Sequence, residues 1–445
     1  MASDWRRHEV AELLAAGKLV IGDGYRAKNS ELGSSGLPFA RAGNIDDGFR
    51  FDDADFFPED ALHRVGEKVS EPGDVVFTSK GTVGRFALVG STTQRFVYSP
   101  QLCFWRSLDR KLIDPRFLYY WMCGREFYVQ YKGVAGQTDM ADYVSLTDQR
   151  RMNITLPPFD EQGAIAEILG ALDDKIELNR RMSDTLEAMA RGFFKSWFVD
   201  FDPVHAKAEG RAPAGMDAAM AALFPDSFED SGPGKMPAGW ETIPLAAAGT
   251  WRSGGTPSKS KPEYWGGDIP WVSAKSLNDA VWVHDAEKHV TLLGAESGTR
   301  TVPRGSVLFV VRGMSLASEF RIGLCSREVT FNQDLKAIVP TGRVSPALLT
   351  LWLRESRPSI LGLADEASHG TKRLQTDALA KLQLVVPRRA VQERLVAPLD
   401  ALLERIGMND KETTTLGAVR DLLLPKLLAG ELHVRDADRI VEQAV

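Results

Sequence analysis

The sequence predicts an α+β protein: two mixed α/β globules separated by two long antiparallel coiled-coil helices, the whole forming a pseudo-two-fold internal repeat. Three observations carry this reading. The stretch Leu156 to Phe201 places apolar residues at threes and fours for about five heptads. Shifting that stretch by 230 positions superposes it on Val386 to Leu432. The segments ahead of both stretches break into short strand-like runs punctuated by glycine and proline.

The first long stretch carries helix start signals. Pro157 and Pro158 close an extended segment, and Asp160 and Glu161 sit where a first turn favours negative charge. Ile165, Ile168, Leu172, Ile176, Met182, Leu186, Met189, Phe193 and Trp197 then form a seam for another helix. A helix of ~40 residues at ~1.5 Å each is ~60 Å long, more than a single globular domain needs. Periodicity alone also fits a long core helix. The duplication supplies a partner: Pro157 falls on Pro387, Gln162 on Gln392, Leu169 on Leu399, Leu172 on Leu402, Ile176 on Ile406, Leu186 on Leu416 and Phe193 on Leu423. Asn179 falls on Asn409, and a polar residue in a seam costs stability but fixes register. Such a repeat governs every local reading.

In chain order, residues 1–155 form the first globule. Gly36 to Ile45 reads as a strand leaving a turn. Gly73 to Val89 reads as a hairpin turning at Lys80-Gly81-Thr82, with glycines where a positive φ is needed. Tyr98 to Arg106 reads as a strand. Pro115 to Tyr131 reads as a helix, with Phe117, Tyr120 and Trp121 packing in the core. Residues 156–201 are the first long helix. Residues 202–238 are rich in Pro, Gly, Ala and Asp and read as a linker, with a short helix near Met216 to Leu223.

Residues 239–386 form a second globule in the outline of the first. Ile269 to Ser273 corresponds to Leu37 to Arg41, Gly305 to Phe309 to Gly73 to Phe77, Val311-Arg312-Gly313 to Ser79-Lys80-Gly81, and Ser345 to Leu349 to Asp114 to Leu118. Residues 387–432 are the second long helix and 433–445 a tail.

The chain of 445 residues is 44% apolar and 26% charged, a globular composition. Cys103, Cys123 and Cys325 are scattered without a CxxC pair, which suggests neither a zinc site nor a disulfide framework and fits a reducing cytosol. The opening MASDWRRHEVAELL lacks the apolar core of a signal peptide, and no apolar run reaches membrane-spanning length, so a cytoplasmic location without membrane contact is expected. A net charge of −6 argues mildly against nucleic acid. Between Trp240 and Pro387, however, 17 Lys plus Arg face 14 Asp plus Glu, a balance of +3.

Catalytic patterns fail one by one. Leu156-Pro157-Pro158-Phe159 is similar to the active-site tetrapeptide of adenine amino-methyltransferases, but Leu156 stands where those enzymes need Asn or Asp to hold the amino group. No G-x-G-x-x-G follows a strand, and no G-x-x-x-x-G-K-[ST] exists. Asp226, Glu229 and Asp230 resemble nuclease carboxylates but lack the following Lys. The histidines show no metal-ligand spacing, so no catalytic residue, metal or cofactor is expected.

What remains is a set of polar loops in equivalent places of the two globules. The candidates to touch DNA are Arg26, Lys28, Arg41, Asn44, Ser79, Lys80, Arg85, Gln137 and Thr138 in the first globule. In the second they are Thr256, Ser258, Lys259, Lys261, Ser273, Lys275, Arg312, Thr371, Lys372 and Arg373. Arg, Lys, Asn and Gln reach base edges, while Ser, Thr, Lys and backbone amides hold phosphates. Any one of these residues alone also fits a solvated loop; the duplication of the clusters favours a binding role for the set.

Over essentially its whole length the chain resembles the specificity subunits of Type I restriction–modification systems. The resemblance is carried by LPPFDEQGAIAEILGALDDKIELNRRMSDTLEAMARGFFKSWFVDFDPV, the connector AKAEGRAPAGM…LFPDSFEDS…GKMPAGW, GYRAKNSEL…GLPFARAGNI and GGTPSKSKPEYWGGDIPWVSAKSL. It implies two target-recognition domains, each reading one half of a split, asymmetric site on double-stranded DNA. It also implies spacer helices that dock modification (methyltransferase) subunits, expected to be two, joined by restriction subunits. The subunit itself would have no chemistry; adenine methylation and ATP-driven cleavage would belong to its partners. One departure is Pro425, where the first helix has Lys195: a missing N–H predicts a kink or an early end there. Two other readings compete: an enzyme acting on DNA directly, and a coiled-coil adaptor that binds proteins only.

Overall fold

The computed structural model describes residues 4–46, 48–80, 84–135, 144–231, 234–278, 280–368 and 370–444. They form two compact units, Met1–Glu177 with Thr414–Val445, and Leu178–Thr413. The division passes through both long helices, so each unit is one globule packed on a stretch of each helix.

In the first unit the strands are β1 (Arg6–Glu9), β2 (Leu19–Asp23), β3 (Leu37–Ala40), β4 (Phe56–Phe57), β5 (Val75–Thr78), β6 (Phe86–Leu88), β7 (Val97–Tyr98), β8 (Leu102–Ser107) and β9 (Asn153–Leu156). The helices are α1 (Val10–Ala15), α2 (Pro115–Cys123), α3 (Arg125–Ala135) and α4 (Leu146–Arg150), followed by the start of α5 (Phe159–Phe198). One sheet runs β2-β8-β5-β6, all antiparallel, and a second runs β4-β3-β7, with β3 parallel to β7. The pair β1-β9 closes the globule just before Pro157. Val75, Phe77, Trp105, Phe117, Trp121 and Phe127 make the core, joined by Ile165, Leu169 and Leu172 of α5.

The second unit repeats this plan. After α6 (Asp202–Ala208), α7 (Ala218–Ala221) and the hairpin β10 (Phe228–Ser231) and β11 (Gly234–Pro237) come β12 (Glu241–Pro244), β13 (Gly249–Ser253), β14 (Trp265–Val272), β15 (Trp282–Val283), β16 (His289–Val290) and α8 (Leu292–Gly298). Then follow β17 (Thr301–Val302), β18 (Val307–Val310), β19 (Arg312–Gly313), β20 (Ile322–Cys325), β21 (Val329–Phe331), β22 (Leu335–Pro340), α9 (Pro346–Glu355) and α10 (Arg357–Leu361). Last are β23 (Ala364–Ser368), β24 (Thr371–Leu374), α11 (Thr376–Ala380), β25 (Gln383–Val386) and α12 (Arg389–Leu428), with α13 (Val434–Ala444) returning to the first unit. The sheets β13-β22-β18-β20-β15 and β16-β14-β21-β17 keep the strand order of the first unit and add one edge strand each, β15 and β17; β12-β25 matches β1-β9, and β19-β24-β23 forms a further sheet.

The long helices start at Phe159 and Arg389 and end at Phe198 and Leu428, 230 residues apart at both ends. Their packing is antiparallel: in the second unit the Asn179 amide donates to Glu412 at 2.8 Å, and Asn409 donates to Ser183 Oγ at 3.3 Å, so α5 numbers rise as α12 numbers fall. Both asparagines are buried. In the first unit Arg420 of α12 donates to Asp173 of α5 at 2.8 Å. Each helix start is tied to its globule by an equivalent glutamine. Gln162 Oε1 accepts from the backbone N of Asp114, and Gln392 Oε1 accepts from that of Ser345. Asp114 and Ser345 are themselves the N-caps of α2 and α9, each followed by proline.

Several expectations need correction. The helix expected over Pro115 to Tyr131 is two helices, because Gly124 takes an extended backbone (φ −87°, ψ 171°) between them. The strand expected from Tyr98 is two strands, because Ser99 and Gln101 turn the chain between β7 and β8. The hairpin β5-β6 forms, but Gly81 and Thr82 of its expected turn lie outside the described residues. Pro425 does not end α12, which continues to Leu428; only the N–H toward Asp421 is lost. Finally, within the expected linker most described residues are exposed, but Val204 and Phe224 are buried with Phe194, Phe198 and Trp240 in the second core. Proline and glycine there mark an irregular backbone, while the spaced aromatics still find a core.

Candidate nucleic-acid interface

The candidate loops leave their sheets at two equivalent glycines. A Cβ on Gly24, which follows β2, would lie 1.9 Å from Ser99 O, and one on Gly254, which follows β13, would lie 2.2 Å from Asn332 O. Only glycine lets these strands pass so closely. The next backbone amides anchor the loops: Tyr25 N donates to Tyr98 O at 2.7 Å, and Gly255 N to Phe331 O at 2.9 Å. Arg26 and Lys28 of the first loop, and Ser258, Lys259 and Lys261 of the second, are exposed. Ser258 bonds Ser260 at 2.8 Å, and Lys261 Nζ donates to Tyr264 OH at 2.9 Å, a bond that raises the lysine pKa and keeps it cationic. Thr256 Oγ1 donates to Gln333 Oε1 at 2.7 Å.

A second cluster forms at the turn after the central strand of each minor sheet. In the first unit Arg41 pairs with Asp55 at 2.6 Å, and Lys80 is exposed. Asn44 is not a free reader: its Oδ1 accepts from Arg41 N at 2.7 Å and its Nδ2 donates to Arg50 O at 2.9 Å. Arg85 is half-buried, donates to Ala42 O at 3.1 Å and pairs with Asp46 at 3.2 Å. The second unit makes the same bond: Arg321, just before β20 as Arg85 is just before β6, donates to Ala274 O at 3.3 Å and pairs with Glu319 at 2.8 Å. Arg85 therefore holds a turn. Ser273 is likewise occupied, capping its turn through Ser276, and Lys275 extends from that turn exposed.

Ser79 is corrected outright. It is 1% exposed, and its hydroxyl donates to Gln101 O, the same oxygen that accepts from its backbone N at 3.0 Å just past the end of β5. Gln137 and Thr138 lie outside the described residues. Arg312, Thr371 and Arg373 are brought together beside a cleft of about 730 Å³ that also takes in Asp365, Glu366, Gln375 and Asp377. Lys372 sits between them in sequence but on the opposite face of β24, in line with Glu366.

Sequence reasoning missed four groups. Gln101, one residue before β8, and Gln333, two before β22, bridge from the sheet to the loops: Gln101 Oε1 accepts from Ala42 N at 3.3 Å, as Gln333 accepts from Thr256. Arg321 and Asp365 were hidden because their value lies in cross-strand neighbours.

The family model described as the Type I restriction modification DNA specificity domain matches this chain twice, over residues 4–188 and 237–416. The chain belongs to the Type I restriction–modification DNA specificity family. The two matched regions each hold one globule and run into its long helix. A Haemophilus influenzae relative, the Type I restriction enzyme HindI specificity subunit, is 27% identical over 82% of this chain and 88% of its own length. The MjaIX specificity subunit of Methanocaldococcus jannaschii is 23% identical over 85% of this chain and 82% of its own. The solved Type I S subunit of M. genitalium shares the fold, with a TM-score of 0.58 and 15% identity over 95% of this chain and 96% of its own. Among the described residues of this family member, no helix is long and apolar enough to cross a membrane, and no cluster of His, Cys, Asp and Glu could hold a metal.

Proposed function

We propose that this chain is the DNA-reading specificity subunit of a Type I restriction–modification complex, with one half of a bipartite site read by each globule. The observation that supports this best is the duplicated loop scaffold. The same strand order, the same glycine exit and the same arginine-held turn occur in both units. Two similar but differently sequenced readers fit a split, asymmetric target.

On this reading residues 1–155 and 239–386 are the recognition domains, residues 156–201 and 387–432 space them, 202–238 connect them and 433–445 form a tail. Base edges and phosphates are met by the exposed cations Arg26, Lys28, Arg41, Lys80, Lys259, Lys261, Lys275, Arg312 and Arg373 and the half-buried Lys372, with Thr256, Ser258 and Thr371 as neutral donors. Arg85, Asn44 and Ser273 position the turns that carry them. Methylation requires the target adenine to leave the stack. A reader that holds the duplex on both sides and leaves that base to a separate subunit fits this need. Methyl transfer and cleavage then fall to partners, two modification subunits and the restriction subunits, in the cytoplasm.

Mapping methylated adenines genome-wide in cells with and without the gene tests the proposal. One bipartite motif, methylated only when the gene is present, is expected. An unchanged methylation map in cells that make the modification subunit would overturn it and favour a protein-only adaptor.

A further inference from the structure

Resting on the proposed function, the geometry points to a base-reading ladder in the second unit: we infer that Arg312, Arg373 and Asp365 together read a G·C pair in the half-site of that unit. The three lie directly opposite one another across β19, β24 and β23, Arg312 against Arg373 and Arg373 against Asp365. Cross-strand partners share a face, so the three side chains form one row. That row lines the 730 Å³ cleft.

Three features set the row apart from a solvated surface. Arg312 and Arg373 are both exposed, and neither side chain makes a hydrogen bond or ion pair among the described residues. Like charges directly opposite in a sheet are destabilising, so two free guanidiniums at one register position ask for a ligand. The carboxylate of Asp365 is held in place by the Gln375 amide rather than by either arginine. The row thus presents uncommitted donors beside a fixed acceptor.

The mixture of charges identifies the ligand. A phosphate site would be lined by donors alone, and Asp365, Glu366 and Asp377 repel the DNA backbone from this cleft. A guanine edge offers the acceptors O6 and N7 to an arginine fork, and its paired cytosine offers the N4 amine to a carboxylate. Donor beside acceptor is the complement of a G·C pair in the major groove. The isolated lysines Lys259 and Lys275 carry no such partner and suit phosphates.

The test is the methylated motif made in cells by the full complex carrying Arg373→Lys, Arg312→Lys or Asp365→Asn. Lysine keeps the charge but loses the bidentate fork. Relaxation of one G·C position in one half-site is expected, with discrimination falling roughly ten- to a hundred-fold. The other half-site, read by the first unit of the same molecule, stays unchanged and reports that the variant folds and assembles. A wild-type motif from both arginine variants, or relaxation at an A·T position, would overturn the ladder. Because the wild-type complex is mapped alongside, loss of the ladder is distinguished from failure of the DNA-reading role itself.

Discussion

Asp74 and Ser306 occupy equivalent positions, one residue before β5 and β18, and should respond to mutation in opposite ways. Asp74 is fully buried and accepts four hydrogen bonds: from Arg106 Nε at 2.6 Å, Arg106 Nη2 at 2.8 Å, Tyr98 OH at 2.6 Å and the backbone N of Glu71 at 2.8 Å. Burial pushes the Tyr98 hydroxyl well above its usual range, so it remains a donor at every working pH. Asp74→Asn keeps the volume, removes the charge and turns an amide N–H₂ toward these donors. Arg106, whose side chain is only 11% exposed, keeps Val69 O but is left with the exposed Glu71 as its counter-charge. Breaking a buried pair from one side costs about 3–5 kcal/mol. At about 2–4 °C per kcal/mol for a unit of this size, the first unit should melt about 6–20 °C lower. The Ser306 hydroxyl is buried without a hydrogen-bond partner, so Ser306→Ala should change stability by less than about 1 kcal/mol. Calorimetric scans of the full chain and its two variants measure both. An Asp74→Asn protein melting within 2 °C of wild type, or a Ser306→Ala protein as damaged as it, would refute the reasoning.

Matched insertions of four residues at the unit boundary, after Glu177 in α5 and after Thr413 in α12, should lengthen the gap between half-sites by about two base pairs, since ~6 Å of helix meets ~3.4 Å per step. The same half-sites read at an unchanged gap would show that the rods do not set the distance. Phe194 is buried, so insertions nearer the end of α5 would damage the core instead. Substituting Lys372 and Arg373 together should weaken DNA binding by the assembled complex more than removing Asp52 and Asp53, with the salt dependence flattened by the lost phosphate contact of Lys372; affinities equal to wild type at several salt concentrations would contradict this. Arg321→Ala should impair recognition of one half-site as strongly as Arg85→Ala impairs the other, by about tenfold or more in binding, because each loses the bond that holds its turn. The thiols should react slowly with an aromatic disulfide at pH 8, because burial pushes Cys123 up to about 12 and Cys103 and Cys325 also upward; rapid labelling of the native protein at any of them would count against the core packing.

The long helices and the duplication were legible in the sequence because they rest on local rules. A seam needs only its spacing, and Gln162 and Asn179 announce their partners Gln392 and Asn409 by a fixed offset. The strands before each helix were legible for the same reason. What the sequence misjudged depends on contacts far along the chain. Gly124, which separates two helices, lies against Leu428, and the Pro- and Gly-rich connector reaches the core where Phe224 meets Trp197 and Trp240. The candidate site divides the same way. Residue type proposed Arg85, Asn44 and Ser79 as DNA contacts, yet their side chains are committed to Ala42 O, Arg50 O and Gln101 O. Conversely, Asp365 gains its meaning only from lying across β24 from Arg373. A polar side chain has the same donors in either setting. Whether water or protein already satisfies them is decided by which backbone groups tertiary folding brings within hydrogen-bond distance, and one-dimensional spacing does not encode that.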